Sequence, residues 1–216
     1  MDLVCLDLEG VLIPEIWIAF AEETGIASLR ATTRDIPDYN ELMQQRLRIL
    51  DENGLTLPEI QRVIAGLSPL EGAADFLQDL RQAYQVVILS DTFYEFAQPM
   101  MQQLAWPTLL CHRLRVSDDG QILDYVLRQQ DPKRHAVEAF KALNYRIFAA
   151  GDSYNDTSML GSADRGFLFK APDNVKAEFP QFKSTQDYDV LRAMIDEAAR
   201  ARIDGSGAEW TKSVLG

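Results

Sequence analysis

Strand and helix patterns alternate along most of this sequence. That alternation predicts an α/β fold, a Rossmann-like parallel sheet with helices on both faces. Two further observations sharpen the expectation. Helical patterns follow one another over 14–68 with no strand between them, which predicts a small helical cap inserted after the first strand. Acids, hydroxyls and a lysine stand just past the apolar runs, where open parallel sheets bind their ligands. The expected layout is a catalytic core over 1–13 and 69–203, a cap over 14–68 and a flexible tail over 204–216.

The elements follow from local signals. "LVCLDL" (3–8) is a short buried strand that "EG" breaks. "PEIWIAFAEETG" (14–25) reads as a helix with Pro14 at its start and Gly25 past its end. Helices over 37–54 and 56–66 complete the cap. Then come a helix over 71–84, a strand over 85–90, a helix over 92–105 with Pro99 near its middle, and a strand over 107–111. Alternation about Asp119-Gly120 predicts a hairpin over 112–128. A helix over 132–144, the strand "YRIFAAG", a helix starting in "YNDTSMLGSA", a strand over 165–171 and a helix over 185–202 close the core.

A chain of 216 residues buries enough surface to need neither disulfide nor structural metal. Its net charge of −12 and the absence of a basic cluster argue against a nucleic-acid or anionic-membrane partner. No apolar run is long enough to span a bilayer. Cys5 and Cys111 read as buried strand positions without zinc or redox spacing, and no signal peptide precedes them, so a cytoplasmic setting is expected.

The strand ends carry the chemistry. Asp7 and Glu9 follow the first strand, Ser90, Asp91 and Thr92 follow "VVIL", Lys133 opens a helix, and Asp152, Ser153, Asn155 and Asp156 follow "RIFAAG". Each group alone is explained by helix capping. Two acid pairs converging on one edge are not. Asp7 and Glu9 can share a face of the strand. Crowded acids resist ionisation, and a hard divalent cation relieves them. Mg²⁺ on Asp7 and Asp152 would also let so acidic a chain hold a phosphate. Asp7 is then placed to attack phosphorus, and Glu9 to protonate the leaving oxygen and later accept a proton. Ser90 and Lys133 are placed to hold the equatorial oxygens. These residues give Mg²⁺-dependent phosphoryl transfer through an aspartate, with the substrate open.

In order and spacing, "DLEGVL", "VVILSD", "DPKR" and "GDSYND" resemble the four motifs of the haloacid dehalogenase-like superfamily. The helical insert resembles that of its phosphoserine phosphatase branch. This resemblance implies Asp7 as nucleophile, Asp152 as a Mg²⁺ ligand, Asp156 as a ligand or its support, and the Glu9 carbonyl on the metal. It also implies that Glu15 and Arg46 meet the amino-acid end of the substrate, although Arg46 in "QQRLR" also fits a solvated helix face. Asp91, beside Ser90, and Asn155 are expected to contact the substrate, while Tyr154 packs.

Two departures stand out. Glu9 replaces an aspartate, with Gly10-Val11 after it, and "SDT" replaces a serine followed by glycines. Together with "IPEIWIAFAEETGI", "TTRDIPDY" and "SDTFYEF", they resemble the phosphoserine:homoserine phosphotransferase subfamily. That implies a phosphorylated amino acid as substrate, water or homoserine as acceptor, and a monomer or homodimer. A phosphatase for another small phosphomonoester stays open, as does a phospho-aspartate signalling module, although the first-strand aspartate and the cap fit the latter poorly. No arginine follows either cysteine at phosphatase-loop spacing, and no GxxxxGK loop occurs. His112 and His135 read as ordinary surface or hairpin residues.

Overall fold

The computed structural model describes residues 1–32, 35–36 and 38–201. Its strands are β1 (Asp2–Leu6), β2 (Gln85–Phe93), β3 (Thr108–Val116), β4 (Ile122–Val126), β5 (Arg146–Gly151), β6 (Arg165–Phe169) and β7 (Lys183–Thr185). They form one sheet in the order β4-β3-β2-β1-β5-β6-β7. Every neighbouring pair is parallel except β3 and β4, which are antiparallel.

The period of two in β1 sorts its side chains between two cores. Val4 and Leu6 join the apolar cluster on one face, and Leu3 and Cys5 join the cluster on the other. The second cluster is closed by α6 (Pro132–Ala142) and α7 (Thr157–Ser162), through Ala136, Val137, Met159 and Leu160. The first is closed by α4 (Ala73–Ala83), α5 (Tyr94–Gln103) and α9 (Tyr188–Arg200).

Between β1 and α4 the chain forms α1 (Ile16–Thr24), a 3-10 turn at Ala27–Arg30, α2 (Tyr39–Glu52) and α3 (Leu57–Ala65). Their residues Ile16, Phe20, Met43, Leu50, Ile60 and Ile64 belong to the same apolar cluster as Val4, Leu6 and Phe96. Each such side chain, fully buried, contributes about 1.5–3 kcal/mol. The helical segment therefore shares the core on this face of the sheet, with α3 packed against α5 and α2 against β4.

Several boundaries differ from the sequence reading, each for a physical reason. α1 starts at Ile16, not Pro14, because the Glu9 carboxylate reaches back to accept the Ile16 N–H at 2.9 Å. Pro99 lies inside α5 without ending it. Proline lacks the N–H that would bond the carbonyl four residues back, and that Glu95 carbonyl instead accepts from Gln61 Nε2 at 2.7 Å. β3 is one unbroken strand, parallel to β2 in its first part and antiparallel to β4 in its second. The short α8 (Asp173–Glu178) and β7 had not been anticipated. The expected tail over 204–216 lies outside the described residues.

Candidate active site

The C-terminal ends of β2, β1 and β5 lie side by side. Asp7 follows β1, Ser90, Asp91 and Thr92 end β2, Asp152 follows β5, and Lys133 sits in the first turn of α6. The Asp7 N–H donates to the Ala150 carbonyl at 2.9 Å, which keeps the two acidic ends together. Glycine is required at both turns. Gly10 has φ +77°, and a Cβ there would stand 2.5 Å from Asp152 Cγ. A Cβ on Gly151 would stand 2.4 Å from the Asp156 side chain.

Lys133 is buried at the centre of the acids. Its Nζ lies 2.9 Å from Asp7 Oδ1, 2.8 Å from Asp156 Oδ1 and 3.5 Å from Asp91 Oδ2. Burial works against its charge, but Asp156, Asp7 and Asp91 outweigh it and hold the ammonium well above its ordinary pKa. Burial, then Asp156 and Asp152, push Asp7 well up despite Lys133. Burial and Asp156 raise Asp152 to about 7. Asp91 differs: although burial opposes its charge, Lys133 and His112 hold it at about 2.

Asp7, Asp152 and Asp156 each offer an oxygen within 4.8 Å of the others. Three hard donors at that spacing suit a divalent cation. Their roles are unequal. Asp156 Oδ2 accepts from Asp152 N, Ser153 N and Ser153 Oγ, while Oδ1 takes Lys133, so this carboxylate is fully engaged. It also caps the 3-10 turn Tyr154–Asp156. Asp7 Oδ1 accepts from Leu8 N at 2.7 Å. Among the described residues, no side chain donates a hydrogen bond to the Asp152 carboxylate. The residues that could hold a metal are thus Asp7 and Asp152, braced by Asp156.

Facing these acids is a cavity of about 240 Å³ whose far wall is the helical segment, with Glu15, Trp17, Tyr39 and Arg46. Glu9 lies at its edge, raised to about 8 by burial and then by Glu15. Arg46 is 8% exposed. Its guanidinium lies over the Trp17 ring at 4.5 Å, and its Nη2 donates to the Ala31 carbonyl at 2.8 Å. Its Nε has no partner, and no carboxylate among the described residues forms an ion pair with it. Burial lowers its pKa only to about 10, so it is charged at neutral pH.

Residues 1–164 match the family model of haloacid dehalogenase-like hydrolases. This chain belongs to that family. The hydrolase is 64% identical over 203 residues to the phosphoserine phosphatase of Pseudomonas syringae pv. tomato, covering 94% of this chain and 86% of the relative. It is 65% identical over 192 residues to phosphoserine phosphatase ThrH of Pseudomonas aeruginosa, covering 89% and 94%. Its fold matches a crystal structure of apo phosphoserine phosphatase at a TM-score of 0.71 and 21% identity, covering 90% of this chain and 98% of that one. A phospho-aspartyl intermediate analogue of phosphoserine phosphatase gives 0.71 at 20% identity, covering 91% and 98%. Among the described residues, no helix of the hydrolase is long and apolar enough to cross a membrane.

The hydrolase brings Asp7, Glu9, Glu15, Arg46, Ser90, Asp91, Lys133, Asp152 and Asn155 to one cavity, with Asp156 directly behind it. Ser90 is buried, and its Oγ accepts the Thr92 N–H at 3.2 Å. Asn155 is exposed at the mouth. Tyr154 packs on Phe179 and donates to Glu178 at 2.6 Å. His135 lies on the surface, 3.4 Å from Glu138.

His112 corrects the sequence reading. It is in the hairpin but buried, at 3% exposure, and its Nε2 is 3.7 Å from Asp91 Oδ1. The signal was present: in β3 it shares the strand face of Leu114, while Arg113 and Arg115 point outward. Trp17 and Tyr39 were likewise missed, because on a helix their pattern reads only as core.

Proposed function

We propose that this hydrolase dephosphorylates O-phosphoserine through a phospho-aspartate on Asp7, with Mg²⁺, and passes the phosphoryl group to homoserine or water. Arg46 carries the reading. A buried guanidinium with an unpartnered Nε, sharing a cavity with an acid cluster, calls for a ligand that is anionic at one end and bears a cation-held phosphate at the other. Phosphoserine offers a carboxylate for Arg46, an ammonium for Glu15 and a phosphate for the Asp7 edge. The names of the two close relatives support that substrate.

Asp7, Asp152 and the Glu9 carbonyl would hold the Mg²⁺. When bound, it supplies the positive charge that lets a phosphate dianion sit among carboxylates. Asp7 forms the new bond to phosphorus as the bond to the serine oxygen breaks. Glu9, kept protonated near neutral pH by burial, gives its proton to that oxygen. The resulting carboxylate then takes a proton from water or from the homoserine hydroxyl, whose oxygen attacks phosphorus and frees Asp7. Lys133 and Ser90 hold the equatorial oxygens as charge builds on them. The Ile16 N–H, donating to Glu9 Oε2 at 2.9 Å, fixes its carboxyl. The two unpaired, buried cysteines support a cytoplasmic setting.

Phosphorus NMR of the protein with phosphoserine and Mg²⁺, with and without homoserine, tests this. Phosphohomoserine establishes transfer, and phosphate alone establishes a phosphatase. Neither product overturns the substrate assignment and calls for a screen of other phosphomonoesters.

A further inference from the structure

We propose that His112 is a positioning residue for phosphoryl transfer, acting through Asp91 to hold Lys133. Three carboxylates surround the Lys133 ammonium. Asp7 loses its carboxylate charge once it is bonded to phosphorus, and Asp156 is locked in place by Asp152 N and Ser153. Asp91 is the third, and nothing in its own strand fixes it. It lies where the β2–β3 register breaks, between Leu89 and Phe93, and its side chain is 32% exposed. Left alone, that carboxylate could turn to solvent or toward the Asp7–Asp152 cluster, where a further negative charge would oppose phosphate.

His112 supplies the missing anchor. Its Nδ1 accepts the Arg128 N–H at 3.0 Å, so the ring hydrogen lies on Nε2 and faces Asp91 Oδ1 at 3.7 Å. The Phe93 ring, 6.3 Å away centre to centre, packs beside the imidazole. With Oδ1 directed to His112, Oδ2 stays 3.5 Å from Lys133. The path to the phosphate-binding ammonium therefore runs from the Arg128 N–H, just past β4, through His112 on β3 and Asp91 on β2 to Lys133. His112 touches no reacting atom, so losing it costs rate through Lys133 geometry rather than ground-state binding.

The inference rests on the Asp7 phosphoryl-transfer reading, and its test separates the two. Steady-state kcat and KM are measured with Mg²⁺ for wild type, His112→Phe, His112→Gln, Asp91→Asn and the double variant His112→Phe/Asp91→Asn. Phosphoserine and p-nitrophenyl phosphate are both used. His112→Phe is expected to lower kcat about tenfold with KM within about twofold, and His112→Gln, whose amide can still donate to Asp91, to recover most of it. The double variant is expected to be no slower than Asp91→Asn alone, since one acts through the other. His112→Asn, too short to reach Asp91, replaces His112→Phe in the cycle if the latter does not fold. Additive losses, or an unchanged kcat in a folded His112→Phe protein, overturn the inference. Turnover of p-nitrophenyl phosphate but not phosphoserine overturns the substrate reading instead, and the ratios between variants still decide the role of His112.

Discussion

Replacing Arg46 with methionine is expected to separate stability from substrate choice. Burial lowers the Arg46 guanidinium to about 10, and at about 1.4 kcal/mol per decade this is about 3 kcal/mol of destabilisation of the charged form in the folded state. Arginine is charged at neutral pH both folded and unfolded, so this cost is constant across the working range. Arg46→Met removes it. The same change loses the contact over Trp17, about 1–2 kcal/mol, and the charged hydrogen bond to the Ala31 carbonyl, about 1.5–3 kcal/mol. These largely offset, so the substrate-free variant should lie between about 0.5 kcal/mol more stable and about 2 kcal/mol less stable than wild type by denaturant unfolding. Catalysis should not be spared. A buried guanidinium facing the substrate carboxylate is worth about 2–5 kcal/mol, so kcat/KM for phosphoserine should fall about 30- to 5,000-fold. Phosphoethanolamine, which is phosphoserine without its carboxylate, should lose less than about threefold. Equal losses on the two substrates in a folded variant would refute the assignment of Arg46 to the carboxylate.

Metal-free protein should lose stability as pH rises from about 4 to about 7, because the unfolded state releases the Asp152 proton near 3.9 while the folded state keeps it to about 7. Asp152→Asn should make that slope shallower in melts with EDTA, the remainder coming from Asp7 and Glu9, which burial also raises, and should weaken Mg²⁺ binding by calorimetry at least about tenfold. Glu9→Asp should shift the ratio of phosphohomoserine to inorganic phosphate, because the shorter acid changes the room at the acceptor; an unchanged ratio counts against a role for Glu9 in acceptor choice. Gln61→Leu should cost about 1–3 kcal/mol of stability by leaving the Glu95 carbonyl orphaned beneath Pro99, with kcat/KM little altered.

The sheet was legible because its strands are short apolar runs ending in polar residues, and Asp7, Ser90, Lys133 and Asp152 stand at those ends. Asp156 shows that capping and chemistry need not compete: the same carboxylate caps a turn and braces Lys133. Arg46 was legible only through family resemblance, since helical spacing cannot distinguish a solvated arginine from one turned into a cavity. Gln61 and Glu95 meet across 34 residues of chain, so no local pattern could reveal why Pro99 is tolerated. β7 is three residues long, too short for alternation to register. His112 is the instructive miss. It was read as a surface or hairpin residue although it shares a strand face with Leu114, and the identity of its neighbour, Asp91 on β2, depends on a register irregularity that only the folded sheet displays.

The central claim is that phosphorus passes through Asp7. Wild type and Asp7→Asn would be mixed with radiolabelled phosphoserine and Mg²⁺, quenched in acid within milliseconds and digested for peptide mass spectrometry. Label on the wild-type peptide containing Asp7, and none on Asp7→Asn, is the expected result. Turnover by wild type with no label there, or activity retained in Asp7→Asn, would contradict the account.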